Sequence, residues 1–441
     1  MPEGGEWGAF VDTQPLRSHR RILTASIVGT AVEYYDFYLY GYAAALVFGP
    51  LFFPVKSAAA QTLLALVSFG LAFVARPIGA ITFGHFGDRI GRKSMLIATM
   101  LLMGICTLAI AFIPTYATAG WIAPALLCLA RFGQGFGLGG EWAGAALLSI
   151  ETAPEGWDCR FGTMPALGSA IGNMAATSVL LTMGAIMPGE DFVAWGWRVP
   201  FLASAVLIAI GLWVRLRVAD TPEFREALTK EAPPRIPIVR LFAESPLAVL
   251  TGCISLICGF ALVYMAGPFA LAQGTGPLGY DRETFLLIQL SALFCALPFM
   301  IFFAAHADRT NNARYVLVAA LGTVPVGVLF GPALASGSLL IIGAILFACN
   351  ACWAISNSSF STWLCRLYPV RVRYSGFAFA FNTGGVIGGA CIPIIAQMMS
   401  NAGNLRYAGL LLSGAGLLTF AAVMASRALQ RDSAIAQPAT A

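Results

Sequence analysis

Runs of about 20 mainly apolar residues, each long enough to cross the hydrocarbon layer as a helix, recur along almost the whole sequence between short polar breaks. No other feature narrows the fold so far. Of the 441 residues, 58% are hydrophobic and 11% charged, and the mean hydropathy is +0.78. That is far more apolar side chain than a water-soluble core of this size can hide. The solvent for most of the chain is therefore lipid, and no stretch remains for a soluble domain of useful size.

Hydropathy and helix breakers predict twelve spans, near residues 22–48, 60–83, 94–113, 121–149, 161–186, 198–216, 247–272, 284–304, 314–331, 338–365, 373–397 and 405–426. An even count places both termini on one side. In this arrangement Arg20, Arg21, Arg89, Arg92, Lys93, Arg160, Arg309, Arg314, Arg373 and most other basic residues share that side, while Lys56, Arg198, Arg282 and Arg406 fall opposite. The positive-inside rule then predicts cytoplasmic termini. Residues before Arg21 are polar and hold no short apolar core with a small-residue cleavage site, so the first span is expected to serve as an uncleaved insertion signal. The formal charge of +5 comes from basic residues scattered singly or in small groups. They form no continuous basic face, so no nucleic-acid partner is expected.

The longest polar break, about residues 217–245, holds Pro222, Pro233, Pro234 and Pro237 and divides six spans from six. The expected organisation is a six-helix bundle over residues 1–216, a cytoplasmic linker over 217–245, a second bundle over 246–427 and a tail over 428–441. An internal repeat supports the division: Gly84-His-Phe-Gly-Asp88-Arg89-Ile-Gly-Arg92-Lys93 follows the second span, and Ala305-His306-Ala-Asp308-Arg309 follows the eighth, at an offset of 220 residues. Parallel halves related by an axis along the membrane normal place a site at the bilayer midplane.

The segment Gly84 to Lys93 resembles the loop signature of the major facilitator superfamily. The stretches Gly29-Thr-Ala-Val-Glu33-Tyr-Tyr-Asp36-Phe37, Arg131-Phe-Gly-Gln134-Gly-Phe-Gly-Leu-Gly-Gly-Glu141-Trp142, Gly196-Trp-Arg-Val-Pro-Phe201 and Thr221-Pro-Glu-Phe224 are similar to the metabolite:proton symporters within it. The resemblance implies an all-α, polytopic fold of twelve transmembrane helices in two six-helix bundles. It also implies proton-coupled symport of a small polar metabolite in a bacterial inner membrane; the chain is expected to work as a monomer. Members of that family carry organic acids such as oxoglutarate, citrate and shikimate, or zwitterions such as proline and betaine. Asp88, Arg89 and Arg92 are gate residues by the same resemblance, with Asp308 and Arg309 as their second-half counterparts. The second copy departs from the signature, with Thr310, Asn311 and Asn312 in place of Ile90, Gly91 and Arg92.

Ionisable side chains in hydrocarbon cost about 2.5–3.5 kcal/mol on insertion scales, so each needs a partner or a water-filled cavity. Glu33 and Asp36, three residues apart on one face, lie roughly 17–21 Å into the first span at 1.5 Å per residue. Arg131 is roughly 15 Å into the fourth. A carboxylate poised between burial, which favours the neutral form, and an arginine, which favours the charged form, takes up and releases a proton. Glu33 and Asp36 are thus the candidate proton carriers. Arg131 is the candidate anchor, its fork able to hold a substrate carboxylate or Asp36. A static ion pair joining the two spans is the bland alternative. Glu141 is roughly 30 Å along the fourth span, near its cytoplasmic end. Gln134, Tyr34 and Tyr38 complete the first-half candidates. Arg76, before Pro77, either joins the central site or snorkels towards the cytoplasmic phosphates, the second reading being slightly favoured.

The second half has almost no deep charge. Asn350, Trp353 and Asn357 at helical spacing, with Asn382, form its candidate substrate wall. Gly135-Phe-Gly-Leu-Gly-Gly140 matches a dinucleotide fingerprint only formally, because it follows no strand, so no nucleotide cofactor is expected. The glycines at 135, 139, 140 and 144 permit close helix contact instead. Cys349 and Cys352 form a C-x-x-C inside an apolar helix, outside any redox context. A membrane enzyme would gather ligands at one site, yet His19, His85 and His306 all fall in terminal or loop positions, and no metal is expected. A sensor that binds without translocating remains the alternative from another class.

Overall fold

The computed structural model describes residues 19–90, 92–187, 189–218, 237–310 and 313–436, and all the regular structure in them is helical. Twelve spans follow one another: α1 (Arg20–Ala43), α2 (Ala58–Ile90), α3 (Arg92–Phe112), α4 (Ile122–Glu151), α5 (Asp158–Ile186), α6 (Arg198–Val218), α7 (Pro246–Thr275), α8 (Arg282–Ala307), α9 (Ala313–Leu334), α10 (Leu339–Asn357), α11 (Arg373–Asn401) and α12 (Leu405–Ala428). By length and hydropathy, α2, α4, α5 and α7–α12 qualify as membrane crossings. α6 qualifies together with the turn Gly189–Gly196, across a 52° bend. The described apolar part of α3 is the shorter Ile97–Phe112, and α1 carries the charges of Glu33 and Asp36. Ile105, Phe112, Trp121 and Leu340 are largely exposed on the outer surface, the pattern that a lipid solvent imposes.

The two halves pack alike. α1 lies against α5, α2 against α4, α3 against α4 and α6, and α1 against α6. Adding six to each label gives the second set: α7 on α11, α8 on α10, α9 on α10 and α12, and α7 on α12. Two six-helix bundles result, joined chiefly where α5 meets α8 and α2 meets α11. The linker face is the side of the α2–α3, α4–α5, α6–α7, α8–α9 and α10–α11 connections; the far face carries the others. Most of the linker lies outside the described residues, apart from a short helix, Pro237–Glu244, that leads into α7.

The predicted spans hold, with two corrections. The tenth was expected as one helix over 338–365, but it ends at Asn357, and a separate helix, Phe360–Leu367, follows the turn at Ser358 and Ser359. Residues 84–90, expected as loop, continue α2 as helix. α7 is kinked at Gly267, before Pro268, whose ring removes a backbone donor. Gln289 of α8 takes up the kink's loose ends, donating Nε2 to Ala266 O at 2.7 Å and Gly267 O at 2.9 Å.

Glycine lets α4 lie directly on α2. A β-carbon at Gly135 would collide with the backbone of Ala72, and one at Gly139 with the carbonyl of Arg76. Gly140 and Gly144, expected to act likewise, leave a β-carbon only ordinary contacts, with Phe83 and Tyr374 at 3.9 Å and with Tyr374 at 3.8 Å. Gly135→Leu is therefore expected to lower stability by roughly 1–3 kcal/mol through overpacking, while Gly144→Ala is neutral. Thermal unfolding of both variants in detergent measures the difference; equal melting temperatures would contradict it.

Candidate functional site

A cavity of about 40 Å³ lies between the bundles. Tyr34 and Tyr38 of α1, Trp142 of α4 and Ser169 of α5 line it from one side; Tyr264 of α7, Trp353 and Asn357 of α10 and Phe381 of α11 line it from the other. Space of that size takes a few waters and no metabolite, whose sites run to about 300 Å³ or more. Contacts join the bundles towards both faces. Near the far face, Asn401 Nδ2 of α11 donates to Ala59 O of α2 at 3.1 Å, and the Arg282 guanidinium of α8 covers the Phe192 ring at 4.1 Å. Near the linker face, Asp308 accepts from Cys159 N and Arg160 Nε, each at 2.6 Å, and Arg366 pairs with Asp158. Tyr374 Oη donates to Gly140 O at 2.8 Å, and Trp142 stacks on Phe381 with centroids 4.0 Å apart. The bundles thus touch on both faces of the cavity.

Beside this cavity lies an ionic centre built by the first four helices and α6. Asp36 is 1% exposed, and its carboxylate accepts from Ser204 Oγ at 2.5 Å and Thr107 Oγ1 at 3.0 Å. Thr107 Oγ1 in turn accepts from Gln134 Nε2 at 2.8 Å, and Gln134 Oε1 accepts from Arg131 Nη1 at 3.1 Å. The expected direct contact of Asp36 with Arg131 is thus replaced by a hydrogen-bonded relay of two side chains. Arg131 also donates Nε to Phe69 O at 3.3 Å, and its Nη2 finds no acceptor.

Of the two readings of Arg76, burial favours the inward one over the slightly preferred snorkelling one. The side chain is 1% exposed, points inward rather than to phosphates, and none of its three nitrogens has a hydrogen-bond partner. Both guanidiniums rest on aromatic rings instead. The Arg76 and Arg131 carbons stand 4.3 and 4.1 Å from the centroid of the same ring, Phe37; Phe73 adds to the first, Tyr40 and Phe69 to the second. Each such contact contributes about 0.5–2 kcal/mol, less than the several kcal/mol that dehydrating an ion costs. Neither cation forms an ion pair with a carboxylate among the described residues. Phe37, which carries both guanidiniums, lies 6.0 Å from the ring of Tyr264, and Tyr264 lines the cavity.

Of the residues singled out from sequence, Tyr34, Tyr38, Trp353 and Asn357 line the cavity. Tyr38 Oη also bonds Ser169 Oγ at 3.4 Å. Glu33 is buried on α1. Gln134 faces the relay. Glu141 is buried rather than solvated and accepts from Thr99 Oγ1 at 2.6 Å, away from the cavity wall. Asn350 donates to Leu346 O of its own helix at 2.9 Å, and Asn382 crosses between bundles to Gly139 O at 2.9 Å, so neither amide faces the cavity. Asp308 joins the bundles at the linker face, with Arg309 next to it on an exposed turn. The side chains of Asp88, Arg89 and Arg92 lie outside the described residues. Sequence reasoning passed over Thr107, Ser204, Trp142, Ser169 and Phe381; Thr107 and Ser204 were signalled only by being lone hydroxyls in apolar runs. Among the described residues no three His, Cys, Asp or Glu side chains gather as a metal site.

Comparison with known proteins places this geometry. Residues 26–390 match the family model described as Major Facilitator Superfamily. The chain is 36% identical over 424 residues to the inner membrane metabolite transport protein YhjE of Escherichia coli (strain K12), covering 95% of this chain and 96% of that protein. It is 36% identical over 390 residues to the shikimate transporter of the same strain, covering 88% and 89%. The fold is similar to that of the xylose transporter XylE from E. coli in a partially occluded, inward-open conformation, with a TM-score of 0.72 at 15% identity over 91% of this chain and 96% of that one.

Proposed function

Since this chain belongs to the Major Facilitator Superfamily, and is a multi-pass membrane transporter rather than an enzyme, we propose that it carries a small organic acid together with protons. The observation that carries this reading is the pair of buried guanidiniums, Arg76 and Arg131, held beside the cavity without a carboxylate partner among the described residues. An anion reaching them gains charge-assisted hydrogen bonds that rings alone do not supply. Arg131 is the anchor. Tyr34, Tyr38, Trp353 and Asn357 bound the solute's path, with Glu141, Gln134, Asn350 and Asn382 supporting the helices around it. The likeness to a protein named as a shikimate transporter recommends hydroxylated carboxylates as first probes.

Coupling in this scheme runs through Asp36, with Glu33 as its companion on α1. When solute engages Arg131, the Arg131–Gln134–Thr107–Asp36 relay shifts, and the charge preferred at Asp36 shifts with it. Alternating access follows from the two bundles, residues 1–216 and 246–427, rocking about the cavity. By the positive-inside rule the linker face is cytoplasmic, as are both termini, and the membrane is a bacterial inner membrane. The chain acts as a monomer. Counterflow in proteoliposomes tests the reading: carboxylates should exchange and betaines should not, at two pH values. Exchange of betaines alone would install a zwitterion carrier, and binding without any exchange would make the protein a sensor.

Asp308 and Arg309, with Asp88, Arg89 and Arg92 as first-half counterparts, form the cytoplasmic gate in this account. Asp308 holds two backbone amides and a guanidinium at the start of α5, where the helix dipole favours an anion. Burial nevertheless raises its pKa above the usual carboxylate range. Asp308→Asn is expected to loosen this closure and expose Cys159, which is 1% exposed. Its labelling by a water-soluble maleimide should rise roughly ten- to hundredfold, the loss of a charge-assisted bond. An unchanged rate on the labelled peptide would remove Asp308 from the gate.

A further inference from the structure

A crevice of about 740 Å³ opens on the outer surface of the first bundle between α3 and α4, apart from the central cavity. Its lining is wholly apolar and runs along α3 from Leu102 to Phe112 and Ile113. Those ten steps cover about 15 Å, half of a hydrocarbon layer about 30 Å thick. The crevice therefore has the depth of one leaflet, from the far face to the midplane.

Its mouth is marked by charge. Arg198 donates Nη2 to Ile113 O at 3.2 Å and Nη1 to Ala194 O at 3.1 Å, and its guanidinium packs on Trp197. A guanidinium has five N–H groups, so this half-exposed side chain keeps others for an anion at the surface. Trp121 and Trp195, 74% and 53% exposed, lie at the same end of the molecule, as interfacial tryptophans do.

We propose that this crevice binds one phospholipid of the far leaflet, an acyl chain along α3 and α4 and the phosphate on Arg198. A helix from a second copy would run the full membrane thickness, whereas the crevice stops halfway. Phe132 and Gly133 on its wall adjoin Arg131 and Gln134 in sequence, so the bound chain backs the helix that carries the ionic centre.

Native mass spectrometry of the full chain, extracted from vesicles of phosphatidylethanolamine and phosphatidylglycerol, tests this without reference to transport. The wild type should retain one phospholipid, with phosphatidylglycerol preferred roughly fivefold. Ala109→Trp, which fills the exposed groove, should lose it; Arg198→Gln should keep a lipid but lose the preference. Melting curves establish that each variant is folded, and Arg198→Gln alone suffices if the tryptophan variant is not. A wild type without retained lipid, adducts unchanged in both variants, or a dimer broken by Ala109→Trp would overturn the proposal.

Discussion

Asp36→Asn is expected to abolish uphill accumulation of the solute while leaving exchange across the membrane intact. The substitution keeps the size and shape of the side chain, and the hydroxyls of Ser204 and Thr107 can rotate to satisfy an amide as they satisfy a carboxylate. Only the titration is removed. An amide at position 36 imitates the protonated carrier permanently, so a pH gradient has nothing to act on while the cavity still opens to each side in turn. Labelled uptake under an imposed pH gradient, beside counterflow without one, separates the two properties. Normal gradient-driven accumulation would remove Asp36 from the mechanism.

Arg131→Lys should be nearly as damaging, for a different reason. Lysine keeps the charge but loses the planar fork that bonds Gln134, Phe69 O and an incoming carboxylate together. A hydrogen bond to a charged group contributes about 1.5–3 kcal/mol, so apparent affinity should fall roughly ten- to hundredfold. The aromatic cage of Phe37, Tyr40 and Phe69 suits the flat guanidinium better than an ammonium, which adds to the loss. Affinity measured from the concentration dependence of counterflow gives the answer. An unchanged value would mean that position 131 serves charge balance alone.

The fold was legible because the bilayer leaves few options. Twelve apolar runs, the offset of Asp308 from Asp88 and the proline-rich break near Pro233 and Pro234 already contain the doubled bundle. The limits of the reading are local. A change of helix direction at Ser358 or Gly267 costs the sequence no apolar residue, so hydropathy does not register it. Depth along a span also places a residue at a level without saying which way it faces. Glu33, Asp36 and Arg131 were all assigned to the middle of the membrane, and all are buried. The angular position of Gln134, which turns a pair into a relay, depends on how α4 rolls against α3. The sequence does not decide between the two readings of Arg76, because long side chains near a helix end ordinarily reach for water; the packing of α1 over α2, which brings Phe37 onto a guanidinium already beside Phe73 of its own helix, selects the interior. Asn350 and Asn382 bond away from the cavity for a similar reason: in an apolar helix an amide finds a backbone carbonyl before it finds a solute.

The central claim is that one cavity between the bundles, with Asp36 linked to Arg131 beside it, moves acid and proton together. Simultaneous recording of lumenal pH and labelled carboxylate in the same proteoliposomes addresses it most directly. The account predicts lumenal acidification in step with solute entry, in wild type and not in Asp36→Asn. Solute entering the wild type with no accompanying change in lumenal pH would contradict it.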